Sequence, residues 1–417
     1  MKLLWFEVTE PGRYRCDGAI IAGWQDSLET IVREIEDVKL TIAFEDKSGL
    51  LKKKNVGPVE YVPLNTKMNL IEKIQSKWSW NVSKRKLISA MCRVVEDCKP
   101  DLIQVFGTEW PFGLVAKYVK VPVVVHIQGA IIPYNNSLFP PCYSYGTKIR
   151  NVFPNIKKII GILLEQKKNE SRVKMEREIW GSVNHYMGRT NWDEAISGIM
   201  NPRRHYYFVN EALRSSFIEG KGCWNGVNTK EKIVLLSTGC SSFWKGPEML
   251  LKTAKILSDL QVDFVWRVAG KMPAEIKKLV EKKEKLSFES CHVVFDGFLS
   301  HEALAEKLCN ATLYIHTAYI ENSPNSICEA QCLGVPIVAT NVGGISSLIS
   351  NGVDGTLVPA NDPWQMAYGI VNLIKNENLL LQYSKKSREK ALKRHSPELI
   401  RRQLMECYSV VLKTGSA

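Results

Sequence analysis

The chain has 417 residues, of which 45% are hydrophobic and 24% are charged; this is the composition of a globular protein and excludes a disordered chain. The length predicts two domains of about 200 residues, because a single hydrophobic core stops growing at about 250–300 residues. The formal net charge of +13 indicates an anionic partner, but no helix-turn-helix, zinc-finger or aromatic RNA-binding pattern accompanies it, so nucleic acid is not expected.

The cysteines and the apolar runs indicate the cellular compartment of the protein. The eleven cysteines are scattered without a C-x-x-C pair, which indicates reduced thiols and argues against a disulfide framework or a zinc site. No apolar run reaches the ~20 residues that span a bilayer, and Met1–Glu7 is too short for a signal peptide. We therefore expect a cytoplasmic protein, peripheral at the inner face of the membrane.

Apolar runs rich in Val, Ile and Leu alternate with helical stretches from end to end. Because these runs lack polar alternation, they indicate strands buried on both faces, as in parallel sheets. The strands predicted in the first half are Lys2–Val8, Leu40–Glu45, Tyr61–Leu64, Leu102–Gly107, Val121–Ile127, Asn184–Met187 and Tyr206–Val209. Those predicted in the second half are Lys232–Ser237, Phe264–Ala269, His292–Phe295, Thr312–His316 and Pro336–Thr340. Two βαβ series in succession predict an α/β fold with two Rossmann-like domains.

The predicted domains are residues 1–210 and 211–390, followed by a C-terminal helix over 391–417. The polar, glycine-rich stretch Ser215–Lys232 is the predicted linker. Ser396-Pro397 supplies an N-cap and a first-turn proline for the last helix. An apolar stripe at helical spacing follows it. This helix either packs on its own domain or crosses back to the first.

Two glutamates flank a predicted helix start in the second half. Pro324 suits the first turn of that helix, and Gly334 before the apolar run 335–340 ends it. Glu321 is therefore expected on the loop before the helix and Glu329 within its first turns. The positive end of the helix dipole and free backbone N–H groups predict an anion site, at Asn325, Ser326 and Ile327. A phosphate held there has a carboxylate on each side, which suits a nucleotide sugar; the alternative is two solvated charges.

This Glu-x7-Glu pattern, with a Gly-Val-Pro-Ile-Val-Ala-Thr strand and Gly343-Gly344 behind it, resembles the retaining glycosyltransferases of family 4. The resemblance implies the GT-B fold, in which two Rossmann-like domains have parallel sheets facing across a cleft. It also implies that the N-terminal domain binds the acceptor and the C-terminal domain binds the nucleotide-sugar donor. The resemblance covers nearly all of the second half and only the pattern of the first.

A loop in the second half is similar to the Gly-Arg-x4-Lys-Gly phosphate loop of that family, with Gly239 and Lys245 in register. The resemblance implies that Lys245 neutralises the leaving diphosphate. Cys240 stands where the family has arginine, so either Lys245 acts alone or a base on the next loop, Arg267 or Lys271, replaces that arginine. The alternative for this lysine is a surface turn.

The resemblance assigns further donor contacts in the second half. Glu329 would hydrogen-bond the ribose, and Glu321 would contact the donor sugar near the reacting carbon. Contacts along the base and the sugar are implied for Gly297, Phe298, Gly343 and Gly344. The loop around Gly297 could equally be a plain strand-to-helix turn, and a serine replaces the acid that the family carries shortly after the glycine pair.

In the first half, Gly23 precedes a predicted helix over Gln25–Glu36 and is similar to the family's glycine facing the donor phosphates. His126 ends a predicted strand and matches the family's strand-His-x-x-Gly element. That match implies contact with the donor sugar and orientation of the acceptor; a satisfied structural histidine is the alternative. Arg189 and Asp193 are interpreted as structural, with an acceptor role as the alternative.

No D-x-D triplet or His/Cys/Asp cluster at ligand spacing is present, so we expect no metal and no cofactor beyond the donor. The predicted function is transfer of a sugar from a UDP- or GDP-sugar to a saccharide or lipid-linked saccharide acceptor, in surface polysaccharide or glycoconjugate synthesis. The alternatives are a catalytically silent GT-B subunit that binds a partner transferase, and a GT-B epimerase or phosphorylase.

The positive charge is concentrated in three segments, a distribution that favours an anionic membrane: Lys67–Arg93, Lys148–Arg177 and Lys385–Arg402. The first carries Trp78 and Trp80, which suit a membrane interface. The stretch Ile149–Lys168 mixes Ile, Phe and Leu with lysines, as membrane-surface helices do. The alternative is an ordinary amphipathic helix packed on the sheet.

Overall fold

The computed structural model describes residues 1–15, 23–78, 81–219, 224–226 and 232–415. The chain divides into two compact units. The first consists of Met1–Pro133, Phe153–Ala212 and Ser396–Ala417, and the second of Tyr134–Val152 and Leu213–His395. In the described part of the chain, no helix is both long enough and apolar enough to cross a membrane.

The strands predicted from the apolar runs are all present. In chain order the strands are β1 (Lys2–Glu7), β2 (Lys39–Asp46), β3 (Lys54–Val56), β4 (Val59–Asn65), β5 (Leu102–Phe106), β6 (Val123–His126), β7 (His185–Gly188), β8 (His205–Phe208), β9 (Ile233–Thr238), β10 (Phe264–Ala269), β11 (Val293–Gly297), β12 (Leu313–His316), β13 (Ile337–Thr340) and β14 (Thr356–Val358). The strands β3 and β14 were not predicted from the sequence. Each has three residues and lies at a sheet edge, so neither is a long buried apolar run.

The helices separate the strands in the alternation that the sequence predicts. They are α1 (Gly12–Arg15), α2 (Trp24–Val32), α3 (Leu70–Trp78), α4 (Asn81–Cys98), α5 (Ile131–Asn136), α6 (Tyr145–Val152), α7 (Ile156–Trp180), α8 (Asn191–Met200), α9 (Ser215–Ile218), α10 (Pro247–Asp259), α11 (Ala274–Glu284), α12 (His301–Cys309), α13 (Asn325–Leu333), α14 (Ile345–Leu348), α15 (Pro363–Ile374), α16 (Glu377–Arg394) and α17 (Pro397–Gly415). Two 3-10 helices, Pro111–Lys117 and Phe243–Lys245, complete the set among the described residues.

The first unit is built on an eight-stranded sheet of order β3-β4-β2-β1-β5-β6-β7-β8. Its neighbours pair in parallel except for β3 with β4. Successive side chains of β1 enter opposite cores, because side chains alternate across a strand: Leu3 and Trp5 lie in one cluster, Leu4 and Phe6 in the other.

The C-terminal helix α17 packs on α2, β5 and β8 of the first unit. The side-chain oxygen of Ser396 accepts from the N–H of Leu399 at 3.2 Å, the N-cap that the sequence predicts. The predicted apolar stripe is fully buried and belongs to one of the two cores of that unit: Ile400, Leu404, Tyr408 and Val411.

The second unit is built on an entirely parallel six-stranded sheet of order β11-β10-β9-β12-β13-β14. One core cluster of this unit draws on its strands and on the helices α10, α13 and α15. The predicted linker contains the short helix α9, which buries Phe217; residues 220–223 and 227–231 of that linker lie outside the described residues.

Candidate active site

Two loops at the carboxyl edge of the second sheet are hydrogen-bonded to each other. The N–H of Tyr319, after β12, donates to the carbonyl of Trp244, after β9, at 2.7 Å. The hydroxyl of Thr317 donates to the carbonyl of Lys245 at 3.0 Å. Gly246 follows with φ 71°, and a Cβ there would lie 2.0 Å from the carbonyl oxygen of Thr317. Glycine is therefore required for the close approach that fixes Lys245 at this edge.

Lys245 and Glu321, which the sequence assigned to the donor phosphate and the donor sugar, form an ion pair. The Lys245 side chain is 22% exposed, so a ligand can reach it, whereas the Glu321 side chain is nearly buried. Nε2 of His316 lies 3.6 Å from the same carboxylate oxygen. Burial alone would raise the pKa of Glu321, but Lys245 and His316 outweigh burial and lower that pKa. Glu321 is therefore a carboxylate at neutral pH.

The glycine pair after β13 holds the backbone of Glu321. The N–H of Gly344 donates to the carbonyl of Glu321 at 2.9 Å. Gly343 has φ 54°, and a Cβ on it would lie 1.8 Å from that carbonyl oxygen. These glycines thus approach the backbone of Glu321 closely; the close approach to the sugar expected from the sequence stays a prediction.

The helix α13 begins one residue later than predicted. Pro324 is its N-cap, not a first-turn residue. The N–H of Ile327 donates to the carbonyl of Pro324 at 3.0 Å, so the prediction that this N–H is free is wrong. The amides of Asn325 and Ser326 remain as the predicted anion donors at this end of the helix. Gly334 ends the helix in the left-handed conformation, as predicted.

Glu329 lies within α13, and its carboxylate is 3.6 Å from the guanidinium of Arg214. Burial raises the pKa of Glu329 to about 7, and the charge of Arg214 only partly opposes this effect. At neutral pH the group is therefore near its titration midpoint and can donate or accept a hydrogen bond. Arg214 was not predicted as a site residue, because nothing in its local sequence indicates which distant helix it will contact.

The cysteine at the family's arginine position is buried. Burial raises the pKa of the Cys240 thiol to about 12, so this side chain supplies no charge. Arg267 forms a bidentate pair with Asp296 at 2.6 and 3.1 Å, and Lys307 approaches the same carboxylate at 3.2 Å. Lys271 is exposed. Of the three bases considered from the sequence, Lys245 is the one paired with Glu321.

Backbone hydrogen bonds join the loops of Gly239 and Gly297 through the end of β10. The N–H of Gly239 donates to the carbonyl of Ala269 at 2.8 Å, and the N–H of Gly270 donates to the carbonyl of Gly297 at 2.6 Å. Gly239 and Gly297 both have positive φ, at 67° and 73°. Phe298 follows with 88% of its surface exposed, and exposed aromatic rings of this kind can stack on a base.

In the first unit, His126 ends β6 as predicted but is fully buried. Its Nε2–H donates to the carbonyl of Val209 at 3.3 Å, and the ring of Trp24 lies edge-on at 4.8 Å. Burial, with a smaller effect from Arg189, lowers the pKa of His126 to about 3, so the ring is neutral. Gly23 precedes Trp24 with φ 60° and ψ −120°, a conformation that favours glycine. The sugar contact predicted for His126 stays a prediction.

Arg189 and Asp193 make structural contacts. Asp193 accepts from the N–H of Arg189 at 2.9 Å and completes the capping box of α8 with Thr190. The guanidinium of Arg189 donates to the carbonyl of Gln128 at 3.0 Å and lies over the Trp24 ring. These contacts agree with the structural interpretation drawn from the sequence.

Comparisons with known proteins show similarity to glycosyltransferases in part of the sequence. Residues 225–390, within the second unit, match the family model described as Glycosyl transferases group 1. An uncharacterized glycosyltransferase from Methanocaldococcus jannaschii is 28% identical over 161 residues, which is 38% of this chain and 40% of that protein. The chain spans 36–45% of the length of the first curated relatives that it matches.

Solved structures resemble the chain over nearly its whole length. Sucrose-phosphate synthase from Thermosynechococcus elongatus has a TM-score of 0.74 at 14% identity, covering 99% of both chains. Anabaena HepE, solved in complex with UDP-glucose, has a TM-score of 0.64 at 14% identity, covering 98% of this chain and 100% of that one. At these identities the likeness shows the fold, which is GT-B.

Proposed function

We propose that this chain is a retaining glycosyltransferase that moves a sugar from a UDP- or GDP-sugar to a saccharide or lipid-linked saccharide acceptor, in surface polysaccharide or glycoconjugate synthesis. The observation that carries the proposal is the Lys245–Glu321 ion pair at the carboxyl edge of a parallel sheet. Open α/β sheets bind ligands at that edge. The family match over 225–390 and the UDP-glucose complex of HepE support a nucleotide-sugar donor.

In this proposal the diphosphate of the donor is held by Lys245 and by the amides of Asn325 and Ser326 at the start of α13. Negative charge develops on the leaving diphosphate as the bond to the sugar breaks. A fixed ammonium and a helix N-terminus stabilise that charge without reorganisation. The backbone of Lys245 is itself held in place, because its carbonyl accepts from the Thr317 hydroxyl at 3.0 Å.

Glu321 would accept hydrogen bonds from the donor sugar. The lowered pKa keeps it ionised, and a carboxylate near the reacting carbon also stabilises the positive charge that the sugar ring acquires. Glu329 would bind the ribose hydroxyls, and the exposed ring of Phe298 would stack on the base.

In a transfer that retains the configuration of the sugar, the acceptor oxygen bonds to the sugar carbon on the same face from which the diphosphate departs. The departing phosphate takes the acceptor's proton.

The test is release of nucleoside diphosphate from a panel of UDP-, GDP- and ADP-sugars, measured with and without candidate saccharide acceptors. We expect one donor to be turned over, and Lys245→Ala to slow it at least about tenfold. Lys375→Ala is the matched control, because that lysine is exposed at the C-terminal end of α15, and it should leave turnover unchanged. Donor binding without turnover across a broad acceptor panel would contradict the enzyme and favour the silent-subunit alternative.

A further inference from the structure

The helix α3 of the first unit is turned with its apolar side outward. Leu70, Ile71 and Ile74 are 75%, 68% and 53% exposed. Its polar side faces the protein instead: the half-buried Glu72 caps the helix through the N–H of Asn69 and accepts from Lys86 of α4 at 2.7 Å. An amphipathic helix on a globular protein ordinarily faces its core with the apolar side, so this orientation indicates a surface that something apolar covers.

The start of α7 carries a second exposed apolar face, and α7 also contacts α3. Ile156, Ile160 and Leu163 recur at helical spacing, and Phe153 lies just before the helix; all four are between 45% and 73% exposed. Ile162, on the opposite side of the helix, is buried. This helix therefore packs on its unit through one face and still presents a second apolar face to solvent. We call these seven exposed side chains the α3–α7 surface.

Positive charge accompanies the α3–α7 surface. Residues 153–168 contain four lysines and one glutamate, and Lys157 and Lys167 are exposed, with Lys167 on the same helix face as Ile160 and Leu163. Lys73 is exposed on α3, whereas the one acid of that helix is paired with Lys86. Apolar side chains with lysines beside them match a surface that offers both hydrocarbon and negative charge.

We propose that the α3–α7 surface docks the first unit on an anionic lipid bilayer. A second copy of the chain would bring the same lysines against one another, which disfavours self-association. A bilayer receives the apolar side chains below its headgroups, while acidic headgroups attract the lysines. The proposal is independent of glycosyl transfer. Of the tryptophans expected at this interface, Trp80 and the side chain of Trp78 lie outside the described residues.

Sedimentation of the full chain with vesicles tests the docking. We expect binding to vesicles of mixed phosphatidylglycerol and phosphatidylcholine at low salt, little binding to phosphatidylcholine alone, and release as salt screens the charges. The absence of sedimentation with phosphatidylglycerol vesicles at low salt overturns the proposal and leaves an acidic protein as the partner.

Paired variants locate the surface. Lys157→Gln with Lys167→Gln should weaken partitioning about 25-fold, since each lysine near the membrane contributes about fivefold. Lys278→Gln with Lys282→Gln, two exposed lysines of α11 outside the three basic segments, is the matched charge control. Ile71→Ser with Ile74→Ser should also reduce binding, whereas Ile199→Ser with Leu260→Ser, exposed elsewhere, should not. Thermal unfolding of each variant checks its fold. Equal losses in the test and control pairs would show that overall charge or apolarity acts, and would overturn the assignment.

Discussion

The ammonium of Lys245 and the carboxylate of Glu321 are paired in the second unit, although the two residues lie on different loops. Lys245 lowers the pKa of the nearly buried Glu321 carboxylate, so removing either residue changes the surroundings of the other. Their contributions to turnover are therefore expected to be coupled.

Lys245→Ala should lower turnover by on the order of 3 kcal/mol, which is the effect of deleting one strong electrostatic donor. Glu321→Ala should also lower turnover, and the double variant should lose less than the sum of the two, because the single variants each leave an unpaired group. Steady-state kinetics of the four proteins measures this coupling. A loss below about tenfold for Lys245→Ala would show that the diphosphate charge is neutralised elsewhere.

Substitutions of Glu321 and of Glu329 should affect different constants, kcat for Glu321 and nucleotide affinity for Glu329. Glu329→Ala should weaken nucleotide binding, because ribose contacts are present throughout the reaction. Glu321→Gln should mainly lower kcat, because its contacts strengthen as the sugar approaches the transition state. Calorimetric titration with the nucleotide distinguishes them, and unchanged affinity in Glu329→Ala would remove that residue from the donor site.

The ionisation of Glu329 should make stability depend on pH. Its pKa rises from 4.5 to about 7 on folding, so between these values the folded state binds more protons than the unfolded state. Its contribution to the free energy of unfolding therefore falls, by on the order of 3 kcal/mol, as pH rises through that window. Glu329→Gln should then raise Tm relative to the wild type at pH 8 and not at pH 4.5. Glu289→Gln, at an exposed position, controls for loss of one negative charge; an equal rise in Tm in both variants would contradict the assignment.

Gly343→Ala should displace Glu321, because the new Cβ would overlap the Glu321 carbonyl oxygen. Gly352→Ala is the matched control: Gly352 also has positive φ, at 75°, but a Cβ added there would meet no neighbouring atom within 4 Å. The control should cost about 1 kcal/mol of stability through backbone strain alone, and Gly343→Ala should cost more and also lower turnover. Equal effects on Tm and normal turnover in both variants would show that the contact with Glu321 is unimportant.

Chelation tests the charge compensation assigned to Lys245 and α13. If these fixed groups stabilise the leaving diphosphate, turnover should survive exhaustive treatment with EDTA. Loss of activity that manganese or magnesium restores would contradict this part of the account.

The parallel sheets could be predicted because their strands are unbroken apolar runs, as in β5 and β6, and because glycine and proline mark the ends of helices such as α13. The strands β3 and β14 could not, since short edge strands lack that pattern. The resemblance of the Gly239–Lys245 loop and of the Glu-x7-Glu pattern to one glycosyltransferase family predicted that Lys245 and Glu321 contact the same donor. Their direct pairing depends on the hydrogen bonds between their loops, which local sequence does not encode.

Long-range packing also explains other differences between the sequence predictions and the structure. The approach of Arg214 to Glu329 joins distant parts of the chain, so no spacing rule indicates it. His126 was predicted at a strand end, and it is there, but its enclosure by Trp24 depends on the backbone conformation at Gly23. The N–H of Ile327 was expected to be free as one of the first helical amides, but it donates to the carbonyl of Pro324 three residues earlier, a short-range bond that tightens the first turn.

The most direct test of the donor site is calorimetric titration of UDP- and GDP-sugars into the wild type and into a Lys245→Ala, Glu329→Ala double variant. We expect one nucleotide sugar to bind the wild type and to raise its Tm, because a ligand that binds only the folded state stabilises it. The double variant should bind that nucleotide sugar at least about tenfold more weakly, a loss of about 1.4 kcal/mol. Equal affinity in the two proteins, with both folded, would contradict the assignment of the donor site to Lys245 and Glu329.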